Sequence, residues 1–190
     1  MRLILSFATA AILASNLTAC APVIIGGAAS GGLMAADRRS SGAFVDDQTI
    51  ELKAESQISQ QLGDKVHVNV TSYNRNVLLT GEAKDEASKA KTEAITKAVE
   101  TVSRVNNELT VGFTSSISNR ANDTYLTSKV KARMLAENRF PANQVKVVTE
   151  ASVVYLMGLV TKKEADDATE ITRSTEGVAK VVKMFEYIEK

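Results

Sequence analysis

The fold is decided by two apolar runs that each end in glycine, Val77-Leu78-Leu79-Thr80-Gly81 and Val153-Val154-Tyr155-Leu156-Met157-Gly158. Before each run, valine alternates with other residues, at Val66, Val68 and Val70 and again at Val145 and Val147. Alternation with a period of two in β-branched residues predicts β-strands. Short polar turns at 73–76 and 150–152 join the strands of each pair, so the sequence predicts two β-hairpins.

Helical patterns flank both hairpins. Upstream, apolar residues recur every four positions, which predicts helices over 46–62 and 123–139 with one buried stripe each; the stripes are Ile50, Ala54, Ile58 and Leu62, and Leu126, Val130 and Met134. Polar side chains at 46–47 and 122–123 are expected to cap these helices. Downstream, each hairpin is followed by a helix (85–99 and 163–174) and a last strand (102–111 and 178–188).

Matching elements lie 76 to 78 residues apart, so the chain is a tandem repeat. The predicted fold class is α+β, with two αββαβ units that each form a three-stranded mixed sheet with two helices on one face. The expected boundaries are 1–19 for a signal peptide, 20–45 for a lipidated flexible tether, 46–112 for the first unit, 113–121 for a linker and 122–190 for the second unit. A unit of about 65–70 residues has a marginal core alone, so the two units are expected to pack together.

The N-terminal segment has the layout of a secretory signal, since Arg2 precedes an apolar stretch at 3–17 that is too short to span a bilayer. It closes on Leu17-Thr18-Ala19-Cys20, which resembles the bacterial lipobox, where cleavage leaves a lipidated cysteine. The alternative is a signal peptide that ends near a cysteine by chance. Cys20 is the single cysteine, so the fold is expected to lack disulfides. By resemblance to lipoprotein sorting rules, Ala21 at the next position favours the outer membrane.

Charge and residue usage argue against several functions. Removal of residues 1–19 takes Arg2 away and leaves 22 basic residues against 22 acidic ones, which does not favour nucleic-acid binding. His67 is the single histidine and sits at the start of a predicted strand with no acidic residue locally paired to it, so a general base is not expected. The glycine-rich stretch at 26–32 lacks the Gly-Lys-Ser/Thr ending of a phosphate loop. We therefore expect no enzyme activity, no metal and no cofactor.

The repeat resembles the BON domain of bacterial osmotic-shock and nodulation proteins in element order, size and the glycine that closes the second strand. The most specific stretches are Asp37-Arg38-Arg39-Ser40 with Asp46-Asp47, Asn122-Asp123-Thr124 with Thr127-Ser128-Lys129-Val130, and Val154-Tyr155-Leu156-Met157-Gly158-Leu159-Val160. Two copies behind a lipobox resemble the dual-BON outer-membrane lipoproteins of Gram-negative bacteria.

This resemblance implies a protein anchored in the outer membrane by acyl chains and facing the periplasm. It also implies a role in outer-membrane integrity, placement at the division site, and binding of acidic phospholipids such as phosphatidylglycerol and cardiolipin through the second unit. Some family members are linked to the machinery that assembles outer-membrane β-barrels, which makes that machinery an expected partner.

The two copies differ in charge. The helix over 46–62 carries four acidic residues and one lysine, whereas the helix over 123–139 carries four basic residues and two acidic ones. An aromatic ring beside basic side chains suits an anionic headgroup layer. The expected lipid-binding residues are therefore Tyr125, Leu126, Lys129, Ala132, Arg133 and Ala136. The family often has tryptophan where this chain has Tyr125, so a lower affinity is expected.

Two alternatives remain open from the sequence. The basic face of the second helix can be a solvated surface without a ligand. The protein can also be a scaffold that docks on an envelope complex through a sheet edge or through acidic residues of the first unit, Asp47, Glu51 and Glu55.

Overall fold

The structure, a computed structural model, describes residues 37–189. It contains two αββαβ repeats, which confirms the predicted fold class. The first consists of α1 (Ser41–Leu62), β1 (Val66–Tyr73), β2 (Asn76–Ala83), α2 (Glu86–Lys97), β3 (Arg104–Asn107) and β4 (Thr110–Val111). The second consists of α3 (Ile117–Glu137), β5 (Val145–Glu150), β6 (Val153–Val160), α4 (Lys162–Arg173) and β7 (Lys180–Tyr187).

In each repeat the central strand pairs with its hairpin partner on one side and with the last strand on the other. β1 and β5 are antiparallel to β2 and β6, and β3, β4 and β7 are parallel to them. In the first repeat the predicted strand over 102–111 is split into β3 and β4. At this interruption the Leu109 side chain points into the core and is 1% exposed. The Asn107 side chain accepts a hydrogen bond from the Leu109 amide.

Both first helices begin earlier than the sequence predicts. The Ser40 hydroxyl accepts a hydrogen bond from the Ala43 amide at the start of α1, and the Ser116 hydroxyl accepts one from the Asn119 amide at the start of α3. Serine in extended backbone is a favoured N-cap. Residues 41–45, assigned to the tether from the sequence, therefore form the first turns of α1, and the caps expected at 46–47 and 122–123 are wrong.

Asp47 and Asp123 instead brace the hairpin turns from inside their helices. The Asp123 carboxylate accepts hydrogen bonds from the amides of Ala151 and Ser152, both at 2.9 Å. The Asp47 carboxylate accepts the matching pair from Asn74 and Arg75, both at 2.7 Å. All four turn residues have positive φ, as a two-residue type I′ turn requires. One acidic side chain in each repeat thus fixes the helix to its hairpin.

The glycines that close the two apolar runs allow a close approach of the backbone. A Cβ atom at Gly81 would clash with the His67 carbonyl oxygen of the paired strand, and one at Gly158 would clash with the Gln144 carbonyl oxygen. Gly81 also has a φ of +113°, a conformation that side chains disfavour. Glycine at these positions is therefore required by the packing of each repeat.

The two repeats pack against each other, as predicted. On β2, Val77 and Leu79 face the helices of their own repeat, whereas Leu78 faces the other way. Leu78 and Tyr73 form a buried cluster with Tyr155 and Met157 from the second repeat. Each sheet is therefore covered by helices on one face and by the other repeat on the opposite face.

The segment that precedes α1 adds polar contacts between the repeats. The Arg38 guanidinium donates two hydrogen bonds to the Glu164 carboxylate at 2.7 and 2.8 Å, and this interaction lowers the pKa of Glu164 to about 2. The next residue, Arg39, donates to Asp47 at 2.7 Å and lies over the Tyr73 ring at 4.3 Å. The chain is thus fastened to both repeats just before α1 begins.

Candidate functional site

Helix α3 carries all six residues expected to bind lipid, and its inner face forms part of the core. Leu126, Val130 and Met134 are buried on that face. Leu126 is 2% exposed, so its assignment as a lipid-binding residue is wrong. Neighbouring residues on a helix point about 100° apart. Leu126 therefore faces the core, although Tyr125 beside it is exposed.

The opposite side of α3 is an exposed and mostly apolar surface. Tyr125 is 62% exposed there, and Ala132 and Ala136 are exposed beside it. Leu135, 68% exposed, lies on the same side, and the surface is longer than the sequence predicted because Ile117, 84% exposed, also shares that side of the helix. We define the outer face of α3 as Ile117, Ala121, Tyr125, Ala132, Leu135 and Ala136.

Two lysines lie at the edges of this outer face. The Lys129 ammonium lies 5.9 Å from the centroid of the Tyr125 ring and 3.3 Å from a carboxylate oxygen of Glu176. Glu176 is almost fully exposed, and such surface pairs contribute about 1 kcal/mol or less. Lys131 is exposed and forms no ion pair within residues 37–189. Both charges therefore remain available to an anionic surface.

Arg133 has a different environment from the one expected. Its guanidinium donates to the Ile171 carbonyl oxygen at 3.0 Å and to the Thr175 hydroxyl at 2.9 Å, at the end of α4. A further hydrogen bond of 2.7 Å joins it to the Glu137 carboxylate. Arg133 thus connects α3 to α4, with its charge balanced by Glu137, and the lysines are the better headgroup ligands.

Helix α1 occupies the equivalent place in the first repeat and provides an internal comparison. It exposes Leu52, at 69%, but it carries a single basic residue, Lys53, which lies 3.5 Å from a carboxylate oxygen of the exposed Glu100. The three acidic residues named for the scaffold alternative lie in different environments. Asp47 is buried against the hairpin turn and Glu51 pairs with Lys146 at 2.9 Å, which leaves Glu55 exposed.

Other features bear on the remaining sequence predictions. Cys20 lies outside the described residues. Across residues 37–189, no helix has the length and hydropathy needed to cross a membrane. Within the same range, no group of three or more His, Cys, Asp or Glu side chains is arranged to hold a metal ion.

Comparisons with known proteins agree with the repeat architecture. The family model of the BON domain matches residues 46–112 and 122–189. The chain is 38% identical to outer membrane lipoprotein DolP of Haemophilus influenzae over 175 residues, which cover 91% of each chain. It is 32% identical to a 21 kDa hemolysin of Actinobacillus pleuropneumoniae over 80% of each chain. Osmotically-inducible protein Y of Escherichia coli is 31% identical, over 74% of this chain and 72% of its own length.

Proposed function

Since this chain belongs to the BON domain family and carries two BON domains, we propose that it is an outer membrane lipoprotein that binds acidic phospholipids through the outer face of α3. In this proposal an acylated Cys20 anchors the protein, which faces the periplasm. The role is one of binding, without catalysis.

The observation that carries the proposal is the joint exposure of apolar and basic side chains on α3. A helix with apolar residues flanked by lysines suits the boundary between headgroups and acyl chains. Tyrosine suits the same layer because its ring is apolar and its hydroxyl is polar. The outer face offers Ile117, Tyr125 and Leu135 as apolar groups and places Lys129 and Lys131 beside them.

The expected affinity is low but sufficient for an anchored protein. Partial burial of three apolar side chains contributes about 1 kcal/mol each. Two lysines near an anionic leaflet contribute about 1 kcal/mol each. The sum of about 5 kcal/mol corresponds to a dissociation constant of roughly 0.2 mM. An anchor holds the domain near the membrane at an effective concentration in the millimolar range, which is high enough for this weak contact to form. The acyl anchor then attaches the protein to the membrane, and the contact through α3 selects among lipids.

The family resemblance extends the proposal to the cell envelope. Selective contact with acidic phospholipids would concentrate the protein where those lipids are enriched, in accord with a role at the division site and in outer-membrane integrity. The machinery that assembles outer-membrane β-barrels is the protein partner that the resemblance favours.

Co-sedimentation with vesicles tests the proposed function. The mature chain with Cys20→Ser, which cannot be acylated, is mixed with phosphatidylethanolamine vesicles that contain phosphatidylglycerol, cardiolipin or neither. We expect binding to the two anionic compositions and weaker binding at higher salt, since the lysines contribute through screened charges. Equal binding to all three compositions, or none, would contradict the proposal.

Matched variants locate the contact. Lys129→Glu combined with Lys131→Glu is expected to remove most binding to anionic vesicles. Leu52→Glu, at an exposed site on α1, is the control. This variant should bind anionic vesicles as well as the Cys20→Ser chain without further substitution. If the control lost binding and the double variant kept it, the lipid contact would belong to the first repeat.

A further inference from the structure

The segment that joins the two repeats carries a fully exposed aromatic side chain. Phe113 lies between β4 and α3 and is 101% exposed, and Ile117 at the start of α3 is 84% exposed. Within residues 37–189 no other large apolar side chain is as exposed as these two. We call Phe113 and Ile117 the apolar tip. Because Ile117 also belongs to the outer face of α3, the apolar tip continues that face into the linker.

The backbone on both sides of Phe113 is held in place. The Gly112 amide donates a hydrogen bond of 2.9 Å to the Ala83 carbonyl oxygen at the end of β2. The Ser115 amide donates one of 2.9 Å to the carboxylate of the buried Glu82. The exposed ring is therefore presented on a fixed backbone, and little conformational entropy is lost when a partner covers it.

The first repeat shows that the fold does not require an apolar residue at this place. The N-caps Ser40 and Ser116 are equivalent, so Asp37 is the counterpart of Phe113. Asp37 forms an ion pair with Arg39 at 2.6 Å. The second repeat has an exposed phenylalanine where the first has a paired charge, and the continuous apolar surface that results is typical of an interaction site.

The residues around the apolar tip are mostly polar and uncharged. Threonine, serine and asparagine occupy most of 110–119, and 109–122 contains no acidic residue and a single basic one, Arg120. The Arg120 guanidinium donates to the Ser115 carbonyl oxygen at 3.0 Å. Contact between the apolar tip and a partner must therefore draw its free energy from the burial of apolar area and not from charge.

A bilayer fits the apolar tip better than a protein partner does. A fully exposed side chain has no protein wall beside it and so offers a partner no pocket, whereas acyl chains surround an inserted ring on every side. Two side chains of this size bury roughly 300–400 Å², and a stable interface between proteins needs about 800 Å² from each partner. Insertion into the headgroup layer needs only the area of the side chains themselves.

We propose that Phe113 and Ile117 insert between lipid headgroups and make membrane binding depend on lipid packing. Uncharged apolar groups enter a bilayer more easily where the headgroups are spaced apart, as they are on a strongly curved surface. Lys129 and Lys131 then select lipids by charge, and the apolar tip selects membranes by packing. The inference rests on the proposed function, because α3 must lie against the membrane for its N-terminal end to insert.

Vesicles of one composition and two sizes test the dependence on packing. The mature Cys20→Ser chain is mixed with small or large vesicles of phosphatidylcholine and phosphatidylglycerol at equal lipid concentration, and binding is measured by flotation. We expect severalfold tighter binding to the small vesicles. This preference should persist at higher salt, since salt screens the lysines and not the burial of apolar groups.

Phe113→Ser removes the larger side chain of the apolar tip. It should weaken binding to small vesicles about tenfold and abolish the preference for them. The thermal midpoint should stay unchanged, because the ring is fully exposed. Val45→Ser is the matched control, since it removes an exposed apolar side chain from α1, and it should keep both the affinity and the preference. Equal losses in the two variants, or a preference for small vesicles that survives in Phe113→Ser, would overturn the proposal.

Phe113→Trp measures insertion itself, because the chain has no other tryptophan. Lipids brominated in their acyl chains quench a tryptophan that reaches below the headgroups. Emission from the Phe113→Trp protein should be quenched by small vesicles of such lipids and less by large ones. Absence of quenching in bound protein would show that the ring stays outside the bilayer and would overturn the proposal.

The results separate this proposal from the contact through α3. If the Cys20→Ser chain binds anionic vesicles of both sizes equally, the role of the apolar tip fails alone and the contact through Lys129 and Lys131 stands. If the chain binds neither size, the proposed function fails and insertion fails with it. If Phe113→Ser converts a dimer into a monomer in light scattering and leaves vesicle binding unchanged, a second copy of the chain covers the apolar tip and the proposal is overturned.

Discussion

At the scale of single residues, the buried aspartate of each first helix is the strongest local constraint. Asp47 is 3% exposed and accepts hydrogen bonds from Arg39, from two turn amides and from the Ser72 hydroxyl. Charged acceptors form stronger hydrogen bonds than neutral ones, and removal of a buried acceptor leaves its donors unsatisfied.

Replacement of Asp47 by alanine should therefore lower the free energy of unfolding by about 3 kcal/mol. Urea unfolding followed by circular dichroism measures the change. Asp46→Ala is the control, since Asp46 pairs with a half-exposed Arg75 and such pairs contribute about 1 kcal/mol or less. Similar losses in the two variants would show that the buried carboxylate does not hold the turn.

Individual residues also show where sequence patterns stop being informative. The four-residue spacing correctly placed Ile50 and Val130 in the core, because burial on a helix follows its period. Asp47 and Asp123 were expected to cap helices, but their carboxylates accept hydrogen bonds from the amides of the hairpin turns. The sequence does not separate these two roles, because an acidic residue looks the same in both. The partners of Arg133 at the end of α4 lie about 40 residues away, so only the packing of α3 on α4 shows that its guanidinium is used internally.

At the scale of elements, the ends of helices and the turns of hairpins determine how each repeat closes. The hairpin turn of the second repeat places Ala151 and Ser152 at φ values of 48° and 61°. Neither residue favours this conformation, whereas Asn-Gly is the preferred pair for a type I′ turn.

The double substitution Ala151→Asn and Ser152→Gly should accordingly stabilise the protein by about 1 kcal/mol. A rise in the thermal midpoint measures the effect. The single substitution Ser56→Gly inside α1 is the comparison and should destabilise by a similar amount, because glycine is a poor helix former. A lowered midpoint in the double variant would mean that this turn is not of type I′ in solution.

The start of α4 gives a prediction about pH. Arg38 and the Thr161 amide both donate to Glu164, which lowers the pKa of its carboxyl from an ordinary 4.5 to about 2. A lowered pKa in the folded state adds stability above the ordinary value, and this stability disappears as the pH falls towards the lowered one.

The stability advantage of the native protein over Glu164→Gln should therefore shrink between about pH 4.5 and about pH 2. Denaturant titrations at several pH values in this window measure it. Arg38→Gln should also reduce the acid sensitivity, since the pKa of Glu164 then moves back towards its ordinary value. A constant difference between the native protein and Glu164→Gln across the window would contradict the assignment.

Element boundaries were harder to predict than element types. Alternating valines and closing glycines identified both hairpins. A half-buried strand requires an apolar residue at every second position, and the close approach of two backbones requires glycine. The start of α3 at Ile117 was missed because Ser116 lies in a serine-rich stretch that is also typical of a linker. Placing the helix six residues too late removed Ile117 from the predicted lipid-binding surface.

At the scale of the whole molecule, two copies of one fold present different surfaces. Their sheets pack together, so the helices of each repeat face outwards on opposite sides of the paired sheets. The outer face of α3 combines apolar groups with basic ones, while α1 carries Thr49 and Leu52 at matching exposed positions. The proposed function therefore requires that α3, and not α1, lies against an anionic membrane.

Tryptophan fluorescence distinguishes contact through α3 from contact through α1, because the chain contains no tryptophan of its own. The mature Cys20→Ser chain is prepared with Tyr125→Trp or, at the equivalent exposed position of α1, with Thr49→Trp. On addition of vesicles containing phosphatidylglycerol, emission from the Tyr125→Trp protein should shift to shorter wavelength, and emission from the Thr49→Trp protein should stay unchanged. A shift in the Thr49→Trp protein alone, or no shift in either protein, would show that α3 does not lie against the membrane.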